Sequence, residues 1–168
     1  TRGEKTTGGG IIVWITNKWA KVKRTVERYQ PDRTDMRGRL MAVTFDNGKQ
    51  GHHNKLKLII AHGINNANQN TKEAEEIQSW IEEQKDKFNE KYPKATVILA
   101  GDLNAAKLTD LDTDSPGPHT EEAMEQDAFV IQDLENIHLT DVFRYQHPET
   151  QVVTRRDPNK TNRYLDRI

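Results

Sequence analysis

The run "TKEAEEIQSWIEEQKDKFNEKYPKATVILAGD" (residues 71–102) contains two hydrophobic rhythms, and the change between them sets the fold class. Ala74, Ile77, Trp80, Ile81 and Phe88 recur near a 3.6-residue period, with Glu, Lys and Gln filling the other face. This spacing predicts an amphipathic helix from Thr71 to about Lys91. Asn70 or Thr71 can cap its first turn, Glu73, Glu75 and Glu76 sit near the positive end of its dipole, and Pro93 prevents continuation. "TVILAGD" then returns as a short, almost wholly apolar stretch, which predicts a buried strand ending in polar residues.

Upstream, "RLMAVTFD" (residues 39–46) and "KLKLIIAH" (residues 55–62) predict two strands flanking "NGKQGHHN", whose Gly and Asn content reads as a hairpin loop. Further back, "IIVWI" (residues 11–15) and "KWAKVKRTVERY" (residues 18–29) predict two more strands joined by a turn at Asn17. Downstream, residues 110–127 hold seven acidic side chains and no Lys or Arg, with a loop at Pro116, Gly117 and Pro118. "TEEAMEQDAFVIQDLENI" predicts a second helix, and "TQVVTRR" and "RYLDRI" predict closing strands carrying Arg155, Arg156, Arg163 and Arg167. With no internal repeat and no linker, this order predicts one α/β layered domain over residues 1–168.

Composition narrows the function classes. A chain of 168 residues suits a single core, and although 33% hydrophobic content and a mean hydropathy of −0.93 are low, the apolar residues cluster in periodic runs, which argues against disorder. With 25 basic and 26 acidic side chains no overall positive field advertises nucleic acid, so any contact with DNA must be local. Cysteine is absent, which excludes disulfides, thiolate metal sites and a Cys nucleophile, and fits a reducing compartment. No apolar run reaches the roughly 18 residues of a membrane span, and the N-terminus lacks a signal-peptide profile. The expectation is a soluble intracellular protein, nuclear or cytoplasmic, without membrane attachment.

Asp102 and Asn104 follow the strand of residues 96–102 and are two apart, so in an extended segment they project to the same side. A carboxylate there can hold a hard divalent cation or orient and deprotonate water, and an amide can donate to a developing anion. The same residue types also form turns, Asp as a cap and Asn in a left-handed conformation, and the local pattern leaves both readings open. "IIAHGINNANQ" repeats the arrangement, with His62, Gly63, Asn65 and Asn66 after an apolar run. Other features read as structure: His52 and His53 as exposed loop, the acids of residues 110–114 without the glycine and Glu of a calcium loop, and Trp80 and Phe88 as core. The basic stretch with Arg155 and Arg156 reads as a solvated face or as a track for a phosphate backbone.

"VILAGDLNA" resembles the Gly-Asp-x-Asn signature of the endonuclease/exonuclease/phosphatase superfamily. "GGGIIVWI" is similar to its Gly-rich lead into an early strand, and "GRLMAVTF" and "LKLIIAHGINN" to the two strands before its long helix. "LTDVFRYQHPE" resembles its Leu-x-Asp-x-aromatic-Arg-x-x-His-Pro segment, and "NRYLDRI" its Ser-Arg-Ile-Asp-x-Ile/Phe strand. Nearly the whole chain is covered. Within the superfamily it looks most like a LINE-type retrotransposon or abasic-site endonuclease domain.

The resemblance implies a deoxyribonuclease-I-like fold, a two-layered β-sandwich flanked by helices, and Mg²⁺- or Mn²⁺-dependent phosphodiester hydrolysis with DNA as partner. It implies that Asp102 orients or activates water and helps hold metal, Asn104 hydrogen-bonds the scissile phosphate, His62 lies beside that phosphate and Asn65 makes a second contact. It gives Asp166 the role of orienting a catalytic histidine, and Asp141 and Arg144 a mainly structural one. The sequence departs from the family in lacking the Gln-Glu-Thr-like segment before the glycines, the Ser-Asp-His segment after the last strand, and an aromatic residue after Thr154. The chain therefore reads as truncated at both ends and weakly active or inactive, with open sheet edges liable to self-association. The alternatives are a phosphatase acting on a phosphorylated small molecule or lipid headgroup, and a non-catalytic nucleic-acid-binding module.

Overall fold

The computed structural model describes residues 11–14, 25–32, 36–46, 55–63, 71–103 and 134–150. Four strands, β1 (Thr25–Tyr29), β2 (Leu40–Asp46), β3 (Lys55–His62) and β4 (Thr96–Asp102), form one sheet in chain order. β1 pairs with β2 and β2 with β3 antiparallel, whereas β3 and β4 run parallel. Parallel neighbours require a crossover, and helix α1 (Thr71–Lys91) supplies it, returning the chain about 30 Å at 1.5 Å per residue. A short helix, α2 (Val142–Gln146), follows, so the described architecture is broadly α/β, a mixed open sheet with a few helices.

Each face of the sheet has its own apolar cluster, because alternate residues of a strand point to opposite sides. Leu40, Ala42, Ile59 and Ala61 meet Ile77 and Ile81 of α1, with Met36, Leu134 and Ile137 in the same buried cluster. Met41, Val43 and Phe45 face the other way, against Leu56 and Leu58. Phe88 is buried and Trp80 packs partly buried against the first cluster, so the helical stripe is core. The helix stops at Lys91, where the Tyr92 amide donates to the Phe88 carbonyl and Pro93 enters a turn.

Two expectations need correction. Ile11 to Trp14 belong to no strand: Ile11 and Val13 pack on Met41, Val43 and Phe45, while Trp14 is 89% exposed. Consecutive β-branched residues suit any half-buried extended segment, and here that preference is met by lying across a sheet rather than pairing in it. β4, expected to be buried, is partly exposed along its length, with Ile98 at 40%. It is the outer strand of the described sheet, and α1 covers only one side. Of the second predicted helix, residues 134–136 are helical; its earlier part, the 47–54 loop, the turn at Asn17 and the closing strands lie outside the described residues. No helix among the described residues is long and apolar enough to cross a membrane.

One buried cation lies beneath α1. Lys57 alternates with leucines in "KLKLII", yet it is only 3% exposed. Its Nζ donates to Gln84 Oε1 at 2.9 Å and stands 4.6 Å from the Tyr29 ring centroid and 5.7 Å from that of Phe88. Burial, assisted by the charge of Lys87, pushes the ammonium down from its ordinary 10.5 to about 8. Because the unfolded chain binds the proton more tightly, folding is penalised fully below pH 8, and stability is recovered as pH rises from about 8 toward 10.5. Tyr29, held above its usual 10.0 first by its hydrogen bond to Glu27, titrates beyond the lower part of that window. The melting temperature is expected to rise between pH 7.5 and 9.5 by a larger amount in the wild type than in Lys57→Met. Equal slopes in the two proteins, measured by circular dichroism, would contradict this account.

Candidate active site

The parallel register sets the ends of β3 and β4 side by side, pairing Ile60 with Ala100, Ala61 with Gly101 and His62 with Asp102. In-register partners on adjacent strands share a side of the sheet and have backbones about 4.8 Å apart. His62 and Asp102 are therefore neighbours at one rim although 40 positions separate them in sequence. His62 follows Ala61, which packs under α1, so its ring is directed to the opposite side. Both side chains are exposed, as groups that meet a ligand must be.

The glycines beside them answer to close backbone approach. Gly101 has φ of 144°, a conformation L-residues rarely adopt, and a Cβ there would stand 1.9 Å from the Ala61 carbonyl oxygen. A Cβ on Gly63 would stand 1.9 Å from the Leu103 carbonyl oxygen. The close approach is held by the Gly63 amide, which donates to the Asp102 carbonyl at 2.7 Å, while on the β2 side the His62 amide donates to the Arg39 carbonyl at 2.8 Å. Arg39 also turns its side chain toward the rim, donating through Nη1 to the Gly63 carbonyl at 3.0 Å, with Nε 3.7 Å from Glu73 Oε1.

Chemically, the rim offers a carboxylate that can accept a proton from water or ligate a hard cation, and an imidazole that can donate to an anionic oxygen. Among the described residues no group of three or more His, Cys, Asp or Glu converges to hold a metal ion. Mg²⁺ retains several waters and takes one or two carboxylates together with substrate phosphate oxygens, and Asp102 could supply one such carboxylate.

Of the sequence-derived site residues, His62 and Asp102 are brought together. Asn104, Asn65, Asp166, Arg155 and Arg156 lie outside the described residues. In "LTDVFRYQHPE", Asp141 caps α2 by accepting from the Arg144 amide at 2.9 Å, and Arg144 Nη1 donates to the Thr150 carbonyl at 2.6 Å. These two side chains bond their own segment's backbone, which gives them a structural role. Arg39 was not singled out by sequence reasoning. It precedes β2 with no recognisable spacing to His62, and its partners are a distant backbone carbonyl and a helix carboxylate. The glycines at 63 and 101 were visible as letters, but only the crossing of two backbones explains them. Comparison of the sequence with models of known protein families and with curated proteins finds no match to either.

Proposed function

We propose that this chain carries part of a divalent-metal-dependent phosphodiesterase site whose substrate is DNA. The observation that carries the reading is the in-register pairing of His62 with Asp102 at the C-terminal ends of adjacent parallel strands. Open α/β sheets commonly place ligands outside the carboxyl ends of their strands. The finer architecture that goes with this reading is the two-layered, deoxyribonuclease-I-like sandwich. The apolar face of Met41, Val43 and Phe45, turned away from α1 and covered in part by Ile11 and Val13, supports it as a second packed side of the sheet.

In this reading Asp102 holds the attacking water in line and takes up its proton, while His62 donates to a non-bridging phosphate oxygen as negative charge develops on it. Asn104 and Asn65 add amide donors to the same phosphate, Asp166 orients a histidine, and Arg155 and Arg156 follow the nucleic-acid backbone. Mg²⁺ or Mn²⁺, held in part by Asp102, would neutralise phosphate charge and stabilise the leaving alkoxide. The 168 residues contain neither the Gln-Glu-Thr-like nor the Ser-Asp-His segment of the resembling family, so this reading expects them alone to be weakly active or inactive.

The test is Mg²⁺-dependent nicking of supercoiled plasmid, by the 168-residue chain and by a form joined at each end to segments supplying that Glu and that Asp-His pair. The joined form is expected to nick, and Asp102→Ala to abolish it. Failure of the joined form, or equal nicking without the Asp102 carboxylate, would end the proposal. Hydrolysis of phosphorylated small molecules without nicking would transfer the site to a phosphatase. Salt-dependent DNA binding without cleavage would make it a binding module.

A further inference from the structure

We infer that Arg39 is a positioning residue of this site, anchoring the His62–Gly63 backbone to the start of β2 while the Gly63 amide ties it to β4, so that His62 keeps its place beside Asp102. The inference rests on the phosphodiesterase reading for its catalytic consequence, and on geometry alone for its structural part. Three bonds meet at the dipeptide: Arg39 carbonyl to His62 amide at 2.8 Å, Arg39 Nη1 to Gly63 carbonyl at 3.0 Å, and Gly63 amide to Asp102 carbonyl at 2.7 Å. Arg39 makes the first two, one with its backbone and one with its guanidinium, so a single residue grips the dipeptide from both of its ends.

The side chain matters because β3 ends here. His62 is the last residue of the strand, and at Gly63 just beyond it the amide is bonded to β4 while the carbonyl is met by the Arg39 guanidinium. A guanidinium is always charged and presents its donors in a rigid fork, so its bond to a carbonyl is stronger and better aimed than that of a neutral donor. Glu73, in the first turn of α1, lies on the other side of that fork at 3.7 Å. The ion pair is half-exposed and adds little stability by itself, but it restricts where the guanidinium can point. The clamp thus joins β2, the end of β3 and the start of α1 around the residue that precedes the loop. Arg39 need not touch substrate to act, since a displaced imidazole loses its alignment with the reacting phosphate.

Amide hydrogen exchange tests the clamp without reference to activity. In Arg39→Met the Gly63 amide is expected to exchange about tenfold faster than in the wild type, while Ile59 and Ala61 in the middle of β3 keep their protection. Arg39→Lys, which keeps charge but loses the fork, is expected to fall between the two. Should Arg39→Met not fold, Arg39→Gln, whose amide is too short to reach the Gly63 carbonyl, carries the same expectation. Unchanged exchange at Gly63, or equal acceleration at Gly63 and Ile59, overturns the inference. In the joined form used for plasmid nicking, Arg39→Met is expected to lower kcat about tenfold with KM within twofold, with partial recovery in Arg39→Lys. If the wild-type joined form does not nick, the phosphodiesterase reading fails while the exchange result still decides whether Arg39 positions the rim. If it nicks and Arg39→Met leaves kcat unchanged, the positioning role fails while the phosphodiesterase reading stands.

Discussion

Gly101→Ala is expected to lower the melting temperature by roughly 10 °C or to prevent recovery of folded protein. The substitution fails twice. Alanine at φ of 144° occupies a backbone region that costs about 1–3 kcal/mol for a residue with a side chain. Its methyl group would also stand 1.9 Å from the Ala61 carbonyl oxygen, a backbone atom that cannot move without separating β3 from β4. A domain whose total stability is about 5–15 kcal/mol cannot absorb both effects easily. For comparison, Ile59→Val removes one methyl group from the core of the same strand and is expected to cost about 1 kcal/mol. Thermal melts of both variants distinguish a geometric requirement from ordinary loss of packing. A Gly101→Ala protein melting as high as Ile59→Val would show that the strands separate readily at this point.

In the joined form, Asp102→Asn is expected to reduce plasmid nicking about 10²–10⁴-fold while leaving the fold intact. The carboxylate is exposed, so the isosteric amide changes no buried packing and the melting temperature should stay within about one degree. The amide keeps the shape but can neither accept a proton from water nor supply a charge to a divalent ion. His62→Ala is expected to cost about 10²-fold through loss of a donor to the phosphate. The double variant is the sharper measurement. If the two groups act on one phosphate, their effects combine to much less than the product, because a site without its base gains little from a donor. Full multiplicativity would mean that the neighbours on the rim work independently, and that their register has no bearing on catalysis.

The helix and strands were legible wherever a local rhythm was strong. Ala74, Ile77, Ile81 and Phe88 mark α1 by their spacing, and the apolar runs ending at Asp46, His62 and Asp102 mark β2, β3 and β4. The antiparallel pairing of β2 with β3 was legible in the hairpin-like "NGKQGHHN", whereas the parallel pairing of β3 with β4 was not, since a run such as "TVILAGD" is compatible with either sense. Lys57 was read past because a lysine alternating with leucine has the pattern of a solvated strand face. What buries it is Gln84, 27 residues away on a helix. Arg39 escaped for the same reason, its side-chain partner Gly63 lying 24 residues further on. Ile11 and Val13 show the converse, a strong strand-like rhythm spent on covering a sheet. The ends of β3 and β4 could be named as candidate site residues from their chemistry, but their adjacency belongs to the sheet.

That adjacency assigns two kinds of change to two parts of the molecule. The spacing of the two backbone positions that carry imidazole and carboxylate is set by the parallel pairing of β3 with β4 and not by the segments that connect the strands. Under the proposed function, changes in those connecting segments would alter which phosphoester is admitted while the two positions keep their spacing.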